Sequence, residues 1–281
     1  MSKFHSIVVG RGEPLLFLPA AGFSGIEGLN IAEHLADRFE CHLLDMPGIG
    51  NSEGMEGRIT QTKIAVWLKE YIEYKGFTNG VTVAGHSMGA ALAMCLAVQY
   101  PTLVKKIVLL DQGHVPIPRF PTKDLGKVGL LVPLISGIER LLGDFFIKRI
   151  EKLFLSDEEE GNLSKEELTK QVRSFCERFD VQPSSYIEKA IKDPVPVNGA
   201  GLRLMLGYRR LRLPKMLNQL SVPCLLIFAS KKRHDVKEAK NVERNIVKIR
   251  NTHVSLYEMD SHHYVHWSDE KCLEKIKGFL Y

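Results

Sequence analysis

The feature that most narrows what this sequence can fold into is a strand, a sharp turn and a helix written into one short stretch. Val81-Thr82-Val83-Ala84 is an apolar, β-branched run, Gly85-His86-Ser87-Met88-Gly89 follows at once, and Ala90-Ala91-Leu92-Ala93-Met94 opens a strong helix former. A serine on such a turn is forced into a cramped backbone geometry that lifts its hydroxyl into a cleft. The flanking glycines are needed because a side chain at either would collide with the strand or the helix. The Met88 N–H, at the start of the helix, is then free to stabilise a developing oxyanion. Gly-x-Ser-x-Gly alone arises by chance in roughly one chain in ten of this length. The strand before it and the helix after it make the match specific.

The rest of the chain sets that turn in a repeating frame. Short apolar runs at Ile7–Val9, Leu15–Leu18, Cys41–Leu44, Val81–Ala84, Lys106–Leu110, Pro223–Ala229 and Val254–Met259 are spaced so that helices fit between them. Ile64, Leu68, Tyr71 and Ile72 fall on one helical face, as do Leu92, Leu96 and Ala97. This alternation predicts an α/β fold: a mostly parallel central sheet covered by helices on both faces.

After Asp111 the rhythm stops, and a structureless loop of the length that follows does not fit a compact domain. Val128–Leu142, Phe145–Phe154, Lys165–Phe179, Ser185–Lys192 and Leu202–Leu217 favour helix, with Pro183, Pro194, Pro196 and Pro214 as punctuation. We therefore expect a helical cap at 114–219 inserted into a core made of 1–113 and 220–281. Its apolar residues Leu130, Leu131, Leu134, Ile135, Leu141, Leu142, Phe145 and Phe146 are expected both to pack and to cover an acyl or alkyl group.

With these pieces in place the chain resembles the α/β-hydrolase family over nearly its whole length. Leu15–Gly25 is similar to the family's strand and oxyanion loop, with Ala21 where a histidine before the glycine is common. The resemblance makes the Phe23 N–H the candidate second oxyanion donor beside Met88. Asp45-Met46-Pro47-Gly48-Ile49-Gly50-Asn51-Ser52 is similar to the family's Asp-x-x-Gly-x-Gly-x-Ser turn, a structural feature in which the glycines supply backbone freedom. As a phosphate-binding loop it fails, because no glycine-rich turn opens a helix with a lysine following.

A serine hydroxyl needs a base within hydrogen-bond reach, and the family's chain order is Ser, then Asp or Glu, then His. Asp260-Ser261-His262-His263-Tyr264-Val265-His266-Trp267 stands where that order puts the base. His263 aligns best, since the family pattern often carries a second histidine three residues on, before Trp. His262 is the neighbouring alternative, and His86 is expected to pack or to make a structural hydrogen bond. A metal cluster of His262, His263, His266 and Asp260 is the competing reading of the same residues. For the acid, Asp235 after Pro223–Ala229 is the first choice. Its loop is longer than the family's usual turn, so Asp111, directly after Lys106–Leu110, stands in reserve. Asp235 could instead cap the helix that follows it.

The implied activity is hydrolysis of a small ester or related acyl substrate through an acyl-enzyme on Ser87, with no metal or organic cofactor. The same triad also serves C–C bond, lactone and thioester hydrolysis, cofactor-free peroxidation, and ligand-sensing receptors with slow turnover. Composition excludes other classes. Lys+Arg 38 against Asp+Glu 33 gives +5, but the charges are interspersed, so no nucleic-acid partner is expected. Cys41, Cys95, Cys176, Cys224 and Cys272 are scattered and unpaired, as expected of reduced thiols in a cytoplasmic protein. No apolar run is long enough to span a bilayer, and Met1 to Pro14 has no apolar core behind a basic start, so neither membrane spanning nor export is expected.

Overall fold

A computed structural model describes residues 2–121, 126–143, 145–149, 164–193, 195 and 198–281. Every predicted strand is present: β1 (Ser6–Gly10), β2 (Glu13–Leu18), β3 (Phe39–Leu44), β4 (Val81–His86), β5 (Val104–Leu110), β6 (Cys224–Ala229) and β7 (Val254–Met259). They form one sheet in the order β1-β3-β2-β4-β5-β6-β7. Only the β1–β3 pairing is antiparallel.

Alternation along each strand divides the core into two layers, as the two-residue period of a strand requires. Leu16, Leu18, Val83, Ile107 and Leu226 face the helices Gln61–Tyr74 and Met88–Gln99. Leu15, Phe17, Val108 and Ile227 face Leu29–Leu35 and Glu270–Leu280. Central strands β4 and β6 are buried along their whole length, whereas the edge strands β1 and β7 keep exposed positions. The helix Met88–Gln99 is buried from Met88 to Ala97, which is why its sequence is apolar all round instead of amphipathic.

Parallel pairing puts the C-terminal ends of β2 to β7 along one edge, the usual place for a ligand crevice in such sheets. The loops that leave that edge contain Ala21, Asp45, Ser87, Asp111, Ser230–Asp235 and His263.

Between β5 and β6 the described helices include Val132–Leu142, Lys165–Phe179, Ser185–Lys192, Gly199–Tyr208 and Leu213–Gln219, with a 3-10 turn at Gly126–Leu130 and helical residues at 145–149. Lys165–Phe179 starts where the sequence says it should, with a reciprocal capping box between Ser164 and Glu167. The predicted single helix Leu202–Leu217 is two, because Pro214 in the first turn of Leu213–Gln219 suits a helix start and not an interior. Leu204, Leu213, Met216 and Leu217 pack into the same layer as Met88–Ala97, so the end of the expected cap segment contributes to the core. Residues 150–154 of the predicted helix Phe145–Phe154, and Pro194 and Pro196, lie outside the described residues.

Candidate active site

Ser87 sits between the end of β4 and the first residue of the following helix, at φ 51 and ψ −116. A non-glycine residue at positive φ is costly and persists only where its surroundings over-determine it. Here the determinants are visible. A Cβ on Gly85 would lie 2.6 Å from the backbone of Gly89 and Ala90, and one on Gly89 would lie 2.0 Å from the Leu18 carbonyl oxygen. The Ser87 N–H donates to Leu110 O at 3.1 Å, tying the turn to the end of β5.

The next residue on that neighbouring strand end is Asp111, also at positive φ, 47. Its N–H donates to Ile227 O at 2.7 Å, and its Oδ1 accepts the Ala229 N–H at 2.9 Å. Its Oδ2 lies 2.7 Å from His263 Nδ1. Burial alone would raise the Asp111 pKa. The hydrogen bond from His263 and the nearby charge of Lys231, whose Nζ is 3.8 Å from Oδ2, outweigh it and hold the carboxyl at about 2. His263 is held below its ordinary value by burial, against the opposing pull of Asp111. With Nδ1 facing the carboxylate, Nε2 is the nitrogen that carries the lone pair in the neutral ring.

Asp235 is elsewhere. Its Oδ1 accepts from Lys237 N at 2.9 Å and Glu238 N at 3.0 Å, capping the helix Val236–Ile246. The first-choice acid is therefore a helix cap, and the reserve residue meets the histidine. His262 is also distinct from His263. Its Nδ1 accepts the His263 N–H at 2.7 Å, its ring lies against Phe179 and His234, and burial holds its pKa at about 4. The rival metal set is dispersed: Asp260 pairs with Arg233 at 2.6 Å, and His263 is taken by Asp111.

His266 belongs to a different group, one the sequence reading missed. His86 Nδ1 is 2.6 Å from Glu27 Oε1, and His86 Nε2–H donates to His263 O at 3.0 Å. Glu27 Oε2 accepts the Ala20 N–H, and His266 Nε2 is 3.9 Å from Glu27 Oε1. Glu27 and His86 have no solvent-exposed side-chain surface. One buried carboxylate thus links the loop after β2, the residue before Ser87 and the backbone of His263. Glu27, His86 and His266 are the one set among the described residues with metal-ligand proximity. The 2.6 Å separation of His86 Nδ1 and Glu27 Oε1 is that of a short hydrogen bond.

The Asp45 turn has the structural role read from its glycines. Asp45 Oδ1 accepts the Gly25 N–H at 2.8 Å, and Oδ2 accepts that of Asn51 at 2.9 Å. Phe23 differs from expectation. Its N–H donates to Ala20 O at 3.3 Å and so is occupied within its own turn. The amides of Ala21 and Met88 make no hydrogen bond to any described residue.

The Phe23 ring instead joins an aromatic wall. It lies 5.9 Å from Tyr264, 5.7 Å from Trp267 and 6.0 Å from Phe175 between ring centroids. Phe175 and Phe179 come from the helix Lys165–Phe179, and Phe179 reaches His262. That helix, not Val132–Leu142, supplies apolar surface beside the histidine loop. Leu130, Leu131, Leu134, Leu141, Leu142 and Phe145, expected over the site, are exposed.

Residues 13–130 match the model of the α/β-hydrolase fold family. A pimeloyl-[acyl-carrier protein] methyl ester esterase of Aeromonas salmonicida is 27% identical over 166 residues, which is 59% of this chain and 61% of that protein. An (E)-2-((N-methylformamido)methylene)succinate hydrolase of Acinetobacter baylyi is 29% identical over 107 residues, 38% of this chain and 40% of that one. The chain thus covers less than two thirds of either relative's length. Among solved structures, a thermophilic esterase from Thermogutta terrifontis superposes with a TM-score of 0.65 at 18% identity, covering 99% of this chain and 92% of that one.

Proposed function

We propose that this chain, a member of the α/β-hydrolase fold family, is a serine hydrolase that cleaves a small ester or related acyl substrate through an acyl-enzyme. The observation that carries this reading is the 2.7 Å contact of Asp111 with His263 Nδ1, on the strand end to which the Ser87 turn is tied.

In this mechanism His263 Nε2 takes the Ser87 hydroxyl proton as Oγ attacks the substrate carbonyl carbon. Asp111 keeps the ring in the tautomer with Nδ1–H and stabilises the imidazolium that forms. Charge gathers on the carbonyl oxygen, and the Met88 amide with an amide of the Ala21–Gly22 turn would receive it, since these are unengaged whereas the Phe23 N–H pairs with Ala20 O. Collapse of the tetrahedral species breaks the bond to the leaving alkoxide, which takes the proton from His263. Water then repeats the sequence on the Ser87 ester and releases the acid. The aromatic wall of Phe23, Phe175, Tyr264 and Trp267 suits an apolar acyl or alkyl group. The relatives named for ester and substituted-succinate hydrolysis agree with a small carbonyl substrate.

A fluorophosphonate probe tests the assignment: it should label the wild type and spare Ser87→Ala. Equal labelling of both proteins would remove Ser87 from the role, and no turnover by the wild type of p-nitrophenyl esters of graded chain length would count against ester hydrolysis.

A further inference from the structure

A second concavity lies away from Ser87, with a cavity volume of about 480 Å³, inside the range usual for small-molecule sites. It is bounded on one side by Arg58–Gln61 and Val98 of the core and on the other by the return segment, Gly207 to Gln219. Val98 is near the C-terminal end of the helix that begins at Met88. The helical rise therefore puts Val98 about 15 Å along the helix from the nucleophile's end of it.

Its walls have an unusual charge balance. Arg58, Arg210, Arg212 and Lys215 line it, and no carboxylate does. Arg210 is held by the buried Glu139. Arg58, Arg212 and Lys215 form no ion pair with any described residue. The helix Gln61–Tyr74 also begins here, with Thr60 and Gln61 on the wall, which adds the positive end of its dipole. Beneath the cations the floor is apolar, formed by Ile59, Leu211, Met216 and Val98. Arg58, Arg212 and Lys215 are exposed at the rim above that buried floor, where their like charges favour an anion placed between them.

We propose that this cavity binds an organic phosphate: a doubly or multiply charged phosphate ester whose less polar body rests on the Ile59–Met216 floor. Charge alone would suit any anion, and a flat basic surface would suit a polyanion. An open concavity with an apolar floor and three unpaired cations at its rim selects a compact ligand having both parts. Because the lining comes from the core and from the segment returning from the inserted helices, the bound ligand would also brace one against the other.

Titration calorimetry with ADP, inorganic pyrophosphate, adenosine and a poly-glutamate peptide tests this. ADP should bind in the submillimolar range and at least about tenfold more tightly than pyrophosphate, with no detectable heat from adenosine. Replacing Arg58, Arg212 and Lys215 together by Gln should weaken ADP at least about thirtyfold while leaving the melting temperature and p-nitrophenyl ester turnover near wild type. The ADP affinity should also fall steeply with added salt. Equal affinities for ADP and pyrophosphate, ADP binding undiminished in the triple variant, absence of ADP binding, or tighter binding of poly-glutamate would each overturn the proposal.

Discussion

Two aspartates follow adjacent strands of the same sheet edge, Asp111 after β5 and Asp235 after β6, and they have opposite surroundings. Asp235 spends its carboxylate on the amides of Lys237 and Glu238, at the start of a helix. No helix begins near Asp111. Its Oδ1 is anchored by the Ala229 amide, which leaves Oδ2 for His263. The lesson is about competition for lone pairs: an acid directly in front of a helix has a local partner for its charge, and one followed by irregular chain does not.

The sharpest way to break this contrast is to neutralise each acid in turn. Asp111→Asn should lower kcat by about 10³- to 10⁴-fold, because the amide favours the wrong imidazole tautomer. Asp235→Asn should leave kcat within about threefold, since Asn also caps helices well. Steady-state kinetics on one p-nitrophenyl ester decides it, and a reversed ranking would return the acid role to Asp235.

A third carboxylate, Glu27, extends the contrast to a group buried without exposed surface. Glu27→Leu leaves the Ala20 N–H and His86 Nδ1 unpaired and should destabilise the fold by about 3–5 kcal/mol. Glu27→Gln can accept from Ala20 and donate to His86, so it should recover most of that loss. Urea denaturation of the two variants measures the difference, and equal losses would show that charge, not hydrogen bonding, sustains this contact.

Smaller again is the effect of deleting the helix cap. Asp235→Ala should cost about 1 kcal/mol of stability with kcat nearly unchanged, as read by chemical denaturation beside an activity assay. A kcat loss without a stability loss would contradict the placement of Asp235.

These outcomes also bear on what the sequence made legible. The sheet was readable because period-two burial and β-branched runs are local properties, and each predicted strand is found within a few residues. Ser87 was readable because its strand, turn and helix are contiguous in the sequence, and Gly85 because a Cβ there would strike Gly89 and Ala90 in the same turn, whereas the collision that requires Gly89, with Leu18, appears only in the folded sheet. Choosing between the acids needed tertiary information, yet one local signal was there. Asp235-Val236-Lys237-Glu238 has the spacing of a helix start, with an acid at the cap and Glu three residues on. Glu27 gave no comparable signal, because its partners, Ala20, His86 and His266, converge only when three loops meet. The helix Val132–Leu142 showed an apolar face but not its neighbour, and that face proved exposed while Phe175 and Phe179 reached the histidine loop.

Lys231 joins the two regions, and its removal should give the smallest effect. Its Nζ is 3.8 Å from Asp111 Oδ2 and 3.2 Å from Glu238 Oε2. It disfavours the imidazolium of His263, adding to the burial that already holds this pKa below the ordinary 6.5. Activity requires neutral His263, so the acid limb of kcat/KM in the wild type should fall below pH 6.5. Lys231→Met removes a cation that repels the protonated ring, so the His263 pKa rises and the acid limb moves to higher pH. Asp111 also loses a stabilising charge, but from about 2 it stays ionised throughout the working range. At pH 8 both proteins hold His263 neutral, and their kcat values should agree within about threefold. A pH–rate profile in which the limb moves down, or stays fixed while kcat at pH 8 collapses, would show that Lys231 acts by placing Asp111 and not through its field.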